Sequence, residues 1–295
     1  MQPFPEVIDN SMRSAFARCS KSMELSYIDH WKPKVSSIHL HAGKAFAAGC
    51  EVARYKFFVE GVPHEEAVAY GWERLVQEYG DYDSPEDGIK TLDAMSGALA
   101  FYFDAYDMRH DFIVPYQAGG KHLIEFSATV PIDVKHPTTG QPILYYGRFD
   151  MLGQHADGSL WVVDEKTTKQ LGNSWVAGWD LDSQFTGYCF LAKKFDLPVV
   201  GALIRGVSIL KRGYGTAQSI QTRPTYLIDR WYKQLCHDVE RMIASWKSNY
   251  FDYSFGPGCK MYGGCHFKDV CRSDNSQRWL EADFEQQPYR PWENV

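Results

Sequence analysis

Residues 147–166, GRFDMLGQHADGSLWVVDEK, hold two strand-forming runs separated by Asp157-Gly158, a dipeptide that favours a tight hairpin turn. The rest of the fold has to be arranged around that hairpin. Asp150 falls on the first strand. Asp164, Glu165 and Lys166 end the second, after the apolar run Leu160-Trp161-Val162-Val163. Side chains alternate along a strand, so Asp164 and Lys166 share one face and Glu165 takes the other. A carboxylate and an ammonium therefore stand together at the end of an apolar hairpin, with a second carboxylate on the neighbouring strand. Two carboxylates can hold a hard cation such as Mg²⁺ through oxygen, with the backbone carbonyl of Glu165 as a further ligand. A lysine beside them can orient a water or offset charge building on a phosphate. These are the parts that hydrolyse a phosphodiester.

A D-x-K at a strand end is common, and alone it reads as a surface ion pair. Here it belongs to an ordered set. Gly147 and Asp150 stand in G-R-F-D, the hairpin follows, Thr167 succeeds Asp164-Glu165-Lys166, and Gln184 and Tyr188 come later in Q-F-T-G-Y. In that order and spacing the sequence resembles the PD-(D/E)XK nuclease superfamily, in its RecB-like branch. The resemblance implies a restriction-endonuclease-like core in which Asp150 and Asp164 bind Mg²⁺ or Mn²⁺, with Glu165 as a further metal-site residue. It implies that Lys166 orients the attacking water, and that Gln184 and Tyr188, one helical turn apart on one face, approach the active site. Glu125, in I-E-F on the preceding strand, stands where that branch often carries an acidic residue, so it is a candidate to assist metal binding. A strand-surface glutamate is the alternative. One departure is plain: a metal-binding histidine of that branch follows an early-helix glycine by four positions. After Gly43 that position is Ala47, and neither His39 nor His41 fits the pattern. The metal is then held by carboxylates and water alone, or activity is reduced.

Seven cysteines without a secretory signal point away from disulfides. Cys259, Cys265 and Cys271 fall within thirteen residues of a glycine-rich segment, GPGCKMYGGCHFKDVC, and look like ligands closing a loop. A tetrahedral site needs a fourth thiolate, for which Cys19 is the best candidate. Cys50, Cys189 and Cys236 lie in helical patterns and read as buried thiols. One cysteine near the start and three near the end resemble the iron–sulfur nucleases of the superfamily, among them the AddB nuclease domain and the CRISPR-associated exonucleases. The resemblance implies a 4Fe–4S cluster, with structural Zn²⁺ as the alternative. Such a centre ties together distant segments, and the entropy it removes from the unfolded chain grows only logarithmically with loop length.

At 295 residues, 44% hydrophobic and 23% charged, the chain can bury a sizeable core and is expected to form a single domain, 1–295. Residues 1–110 read as a helical elaboration, 111–250 as the catalytic α/β core, and 251–295 as the cysteine segment and tail. A short helix and turn is expected near Ser11–Tyr27, and helices near Ser36–Phe58, Pro63–Gly80, Ile89–Met108, Asp182–Lys194 and Thr225–Asn249. Strands are expected in HLIEFSATVPIDV, in the hairpin and at Val199–Leu210. The fold class is α/β, a mixed central sheet flanked by helices. No basic n-region and no long apolar stretch is present, so a cytoplasmic protein with no membrane association is expected. The net charge of −6 argues against bulk coating of nucleic acid but not against a local basic groove. The expected function is a Mg²⁺- or Mn²⁺-dependent DNA exonuclease on duplex ends or single strands, in recombination, repair or phage-type DNA processing. The alternative is a non-catalytic DNA-binding or complex-assembly subunit, and a restriction-type endonuclease ranks third. DNA is the expected partner, and a homo-oligomer or a recombination protein remains open.

Overall fold

The computed structural model describes residues 2–35, 37–82, 89–260 and 264–293. Ser36, the expected start of the second helix, and residues 261–263 of the cysteine segment lie outside them. In chain order the main elements are β1 (Val7–Asp9), α1 (Asn10–Arg18), α2 (Ile38–Phe58), α3 (His64–Tyr79), α4 (Leu92–Ala105), β2 (Ile113–Pro115), β3 (Ile124–Lys135), β4 (Pro142–His155), β5 (Leu160–Thr168), α5 (Ser183–Lys194), β6 (Val199–Leu210), β7 (Gly213–Thr222) and α6 (Thr225–Ser248). By contacts the chain divides into two compact units. One comprises Met1–Ser36, Ser127–Gly147 and Asp229–Val295, and the other Ser37–Phe126 and Arg148–Ile228.

The second unit carries a mixed sheet. β4 pairs antiparallel with β5, β5 parallel with β6, and β6 antiparallel with β7, while β2 pairs antiparallel with the end of β4. Helices α2 and α4 cover one side, and α5 packs on β5 and β6. The core on the α2 side gathers Phe46, Cys50, Leu75, Leu99, Tyr102 and Val207. Helices α2 and α3 approach closely because their contact is built from small residues. A Cβ on Gly71 would stand 2.5 Å from the Gly49 carbonyl oxygen.

Local chemistry sets the element ends. Ser37, Thr91 and Asp182 cap α2, α4 and α5, each side chain accepting from a backbone N–H of the first turn. The cap at Thr91 makes α4 shorter than the Ile89–Met108 expected. The hairpin also differs from expectation. It closes through residues 156–159, where Gly158 N–H donates to His155 O at 2.9 Å with φ of +88°. The aspartate–glycine pair thus sits inside a wider loop. Strand β7 was not anticipated, since GYGTAQSIQT is polar and glycine-bearing; as an edge strand it needs no apolar run.

In the first unit, β1 pairs parallel with the start of β4, Val7 opposite Leu144. Asp9 then caps α1, accepting from Met12 N–H at 2.9 Å. Over Ser11–Tyr27, expected as a short helix and turn, α1 ends at the extended residue Cys19, and a short helix and a π-helical turn follow. Strands Trp31–Pro33 and Phe284–Gln286 pair antiparallel, bringing early and late sequence together. Gly258 lies against Arg18, where a Cβ would be 2.6 Å from the carbonyl oxygen. No helix among the described residues is long and apolar enough to cross a membrane.

Candidate active site and cysteine centre

Alternation along β5 sends Asp164 and Lys166 to one side and Glu165 to the other. Lys166 Nζ makes an ion pair with Asp164 Oδ1, without hydrogen-bond alignment, and the Asp164 side chain is 2% exposed. Asp150, from β4, accepts the Glu165 N–H through Oδ2 at 3.2 Å. Glu125, at the start of β3, receives Arg148 Nε at 2.9 Å. Its φ of +45° is a left-handed conformation that a non-glycine residue adopts only under constraint, and such residues concentrate at functional sites. Burial, the Asp150 charge and then Glu51 lift Glu125 to about 8, against the pull of Arg148. Burial and then Asp150 lift Asp164 to about 8, although Lys166 opposes them. Burial and the charge of Glu165 raise Asp150 as well. Burial works against the Lys166 charge, but Asp164 and Asp150 outweigh it and keep the ammonium protonated.

Like charges crowded in a dry site can be relieved by protons or by a cation. The donors here are hard oxygens, and Asp164 Oδ1 is a buried acceptor whose partner is the Lys166 ammonium. Asp150, Asp164 and Glu125 offer the hard oxygens that a divalent cation takes. Among the described residues no three His, Cys, Asp or Glu side chains form a ready-made cage. An open carboxylate site that completes its shell with water, and with phosphate from a substrate, suits Mg²⁺.

On the opposite face the Glu165 carboxylate is engaged elsewhere. Arg54 Nη1 donates to Oε2 at 3.1 Å, Arg54 Nη2 pairs with Oε1, and Tyr102 Oη donates to Oε1 at 2.9 Å. Burial pushes Glu165 up, but the Arg54 guanidinium outweighs it and holds the carboxyl below the usual range. Neighbouring Arg205 forms a two-pronged bond to Asp111, both contacts at 2.6 Å. Arg54→Met should strand a buried carboxylate and cost roughly 3–5 kcal/mol of unfolding free energy. Denaturant melts check this, and a change under about 1 kcal/mol would contradict it.

Gln184 and Tyr188 lie one turn apart on α5 and bond to each other, Gln184 Nε2 donating to Tyr188 Oη at 2.9 Å. Tyr188 stacks on Phe149, the neighbour of Asp150, at 4.7 Å. Phe185, on the same helix, has its ring centroid 5.6 Å from Lys166 Nζ. Sequence reasoning missed Arg54, Tyr102 and Glu51. Arg54 and Glu51 had one signal, charged residues inside the otherwise small and apolar run AAGCEVARY.

A family model described as the PD-(D/E)XK nuclease superfamily matches residues 14–272. The chain belongs to the PD-(D/E)XK nuclease superfamily. Its members are nucleases that hydrolyse phosphodiester bonds and generally use divalent metals. A crystal structure from Eubacterium rectale, described as that of a candidate exonuclease, is similar in fold. It shares 12% identity over 98% of this chain and 93% of its own, with a TM-score of 0.53. Another solved chain, SSO0001, is 12% identical over 81% of this chain and 90% of its own, with a TM-score of 0.30, too low to bear on the fold. No curated protein matches.

This PD-(D/E)XK nuclease chain also gathers its expected cysteine set. Cys19, Cys259, Cys265 and Cys271 line one cavity of about 280 Å³ in the first unit. Burial, and then the charges of Cys265, Cys19 and Cys259, push the Cys271 thiol up to about 11. All are free thiols. The four are soft donors of the kind that iron–sulfur clusters and Zn²⁺ take, but among the described residues they do not stand as a ready-made metal cage. Cys50 and Cys189 are fully buried in their helices, whereas Cys236 is half-buried beside Tyr232 and Asp133.

Proposed function

We propose that this protein is a metal-dependent deoxyribonuclease acting as an exonuclease on DNA ends or single strands. The observation that carries this reading is the Asp164–Lys166 pair beside Asp150 and Glu125, a set of hard donors and one cation at the end of a hairpin. A divalent cation bound there supplies Lewis-acid stabilisation and lowers the pKa of a coordinated water. Asp150 and Asp164 would hold it with Glu125 assisting, while the Glu165 carboxylate is paired with Arg54, so that only its backbone carbonyl would serve. Lys166 stays charged, so it orients the attacking water and offsets phosphate charge rather than removing a proton. Glu51 stands one turn beyond Ala47 on α2 and acts electrostatically on Glu125, which supports it as the acidic substitute for the histidine lacking at Ala47. Gln184 and Tyr188 brace the Asp150 strand through Phe149. The setting is recombination, repair or phage-type DNA processing.

Incubation with labelled linear and circular DNA and Mn²⁺ tests the reading. Loss of linear DNA alone supports an exonuclease, and cutting of both forms supports an endonuclease. No cutting, with DNA still bound, would favour a non-catalytic subunit, the reading that Ala47 supports.

The raised carboxylates set a pH dependence. Their folded values lie above the ordinary carboxylate range, so the neutral forms stabilise the metal-free protein. That contribution is full below about pH 4 and is lost as pH rises through about 8. Metal must displace the same protons, so Mn²⁺ affinity should rise across that window. Calorimetric titrations at several pH values check this, and a flat profile would contradict it.

The four thiolates are assigned to a 4Fe–4S cluster. Protein purified without oxygen should contain iron and sulfide, and Cys265→Ser should lose both and unfold at a lower temperature. Stoichiometric zinc without sulfide would replace the cluster with a zinc site.

A further inference from the structure

We infer that Trp175 and Trp179 form a stacking platform for unpaired bases beside the candidate active site, making single-stranded DNA the substrate. This rests on the nuclease reading and narrows it. Lys166 on β5 is the register partner of Gly206 on β6, and partners across a parallel ladder send side chains to the same face. Gly206 has no side chain, and a Cβ there would stand 2.6 Å from ring carbons of Trp175. The indole therefore lies on the Lys166 face of the sheet, one strand over, about 4.8 Å in strand spacing. From it an aromatic row runs back to the lysine. Trp175 and Trp179 are 5.5 Å apart, Trp179 and Phe185 5.5 Å, and Phe185 lies 5.6 Å from Lys166 Nζ.

Core packing accounts for Phe185, which is fully buried, but for only part of each indole. The helix Asn173–Ala177 buries no residue fully, both indoles are half-buried, and Leu181 beyond them is 74% exposed. Polar side chains hold the segment instead. Ser219 Oγ donates to Val176 O at 2.7 Å and Gln221 Nε2 to the same oxygen at 3.3 Å. Arg223 Nη2 donates to Trp179 O at 2.7 Å. Two large aromatic side chains are thus fixed in place, each partly exposed, beside a site for phosphate chemistry. Such surfaces stack on any base whose face is free, and bases inside a duplex have both faces covered.

Binding is measured by anisotropy in EDTA, without metal or cleavage, on labelled oligo-dT and on a blunt duplex. Trp175→Ala should weaken oligo-dT binding roughly 10-fold, within the range for losing one stacked base, and duplex binding by much less. Trp175→Phe should restore most of the loss. Equal losses on both DNAs, or none on oligo-dT, would overturn the platform. Should Trp175→Ala fail to fold, the unchanged protein decides. A 5-iodouracil oligonucleotide should cross-link to the peptide carrying Trp175 or Trp179, and adducts only elsewhere would overturn the inference. Cleavage is assayed separately with Mn²⁺. An inactive protein whose oligo-dT binding depends on Trp175 would keep the platform and sink the nuclease reading, whereas an active one without that dependence would do the reverse.

Discussion

Lys166→Ala should slow single-turnover cleavage by roughly 10²-fold or more, the loss expected when one charge-stabilising donor is removed from a reacting centre. The fold should survive. The Lys166 side chain is 30% exposed near the end of β5, and its buried partner Asp164, already raised to about 8, can take up a proton when the ammonium is removed. DNA binding should fall little, because a single phosphate contact is a small part of a larger electrostatic interaction. Lys166→Arg should not restore the rate, since a planar fork cannot replace a compact point charge at a fixed distance. The measurement is cleavage beside a binding titration on the same DNA. Equal losses in both would make Lys166 a binding residue, and no loss in either would leave it as an ion pair.

Asp150→Ala should abolish detectable metal-dependent cleavage. Asp150 is the charge felt by both neighbours, raising Glu125 and Asp164 alike. Removing it takes one hard donor from a site with few, and it also frees the Glu165 N–H it accepts. The two remaining carboxyls should then titrate closer to their ordinary range. Full activity in this variant would place the chemistry elsewhere in the chain.

The hairpin was legible because a strand has a period of two. That period alone separates Asp164 and Lys166 from Glu165 without tertiary knowledge. What binds Glu165 was not legible, since Arg54 lies 111 residues away and only packing of α2 on the sheet brings it there. Glu51 was hidden for a similar reason. Attention to Ala47 asked which histidine was missing, whereas the helix supplies an acid one turn later. Cys259, Cys265 and Cys271 could be grouped because they stand close in sequence, whereas only the fold brings Cys19 to the cavity they line. Strand β7 escaped because an edge strand with one side unpaired tolerates Gln, Ser and Gly. The role of Trp175 likewise depends on Gly206, a residue whose lack of a side chain matters only once β5 and β6 are laid side by side.

The central claim is that the strand-end carboxylates form a divalent-metal site, and a Mn²⁺ titration of wild-type protein and of Asp150→Ala and Asp164→Asn tests it most directly. The account predicts saturable Mn²⁺ binding by the wild type above neutral pH and a marked loss in both variants, with their thermal unfolding still cooperative. Equal Mn²⁺ binding by all three proteins would contradict it.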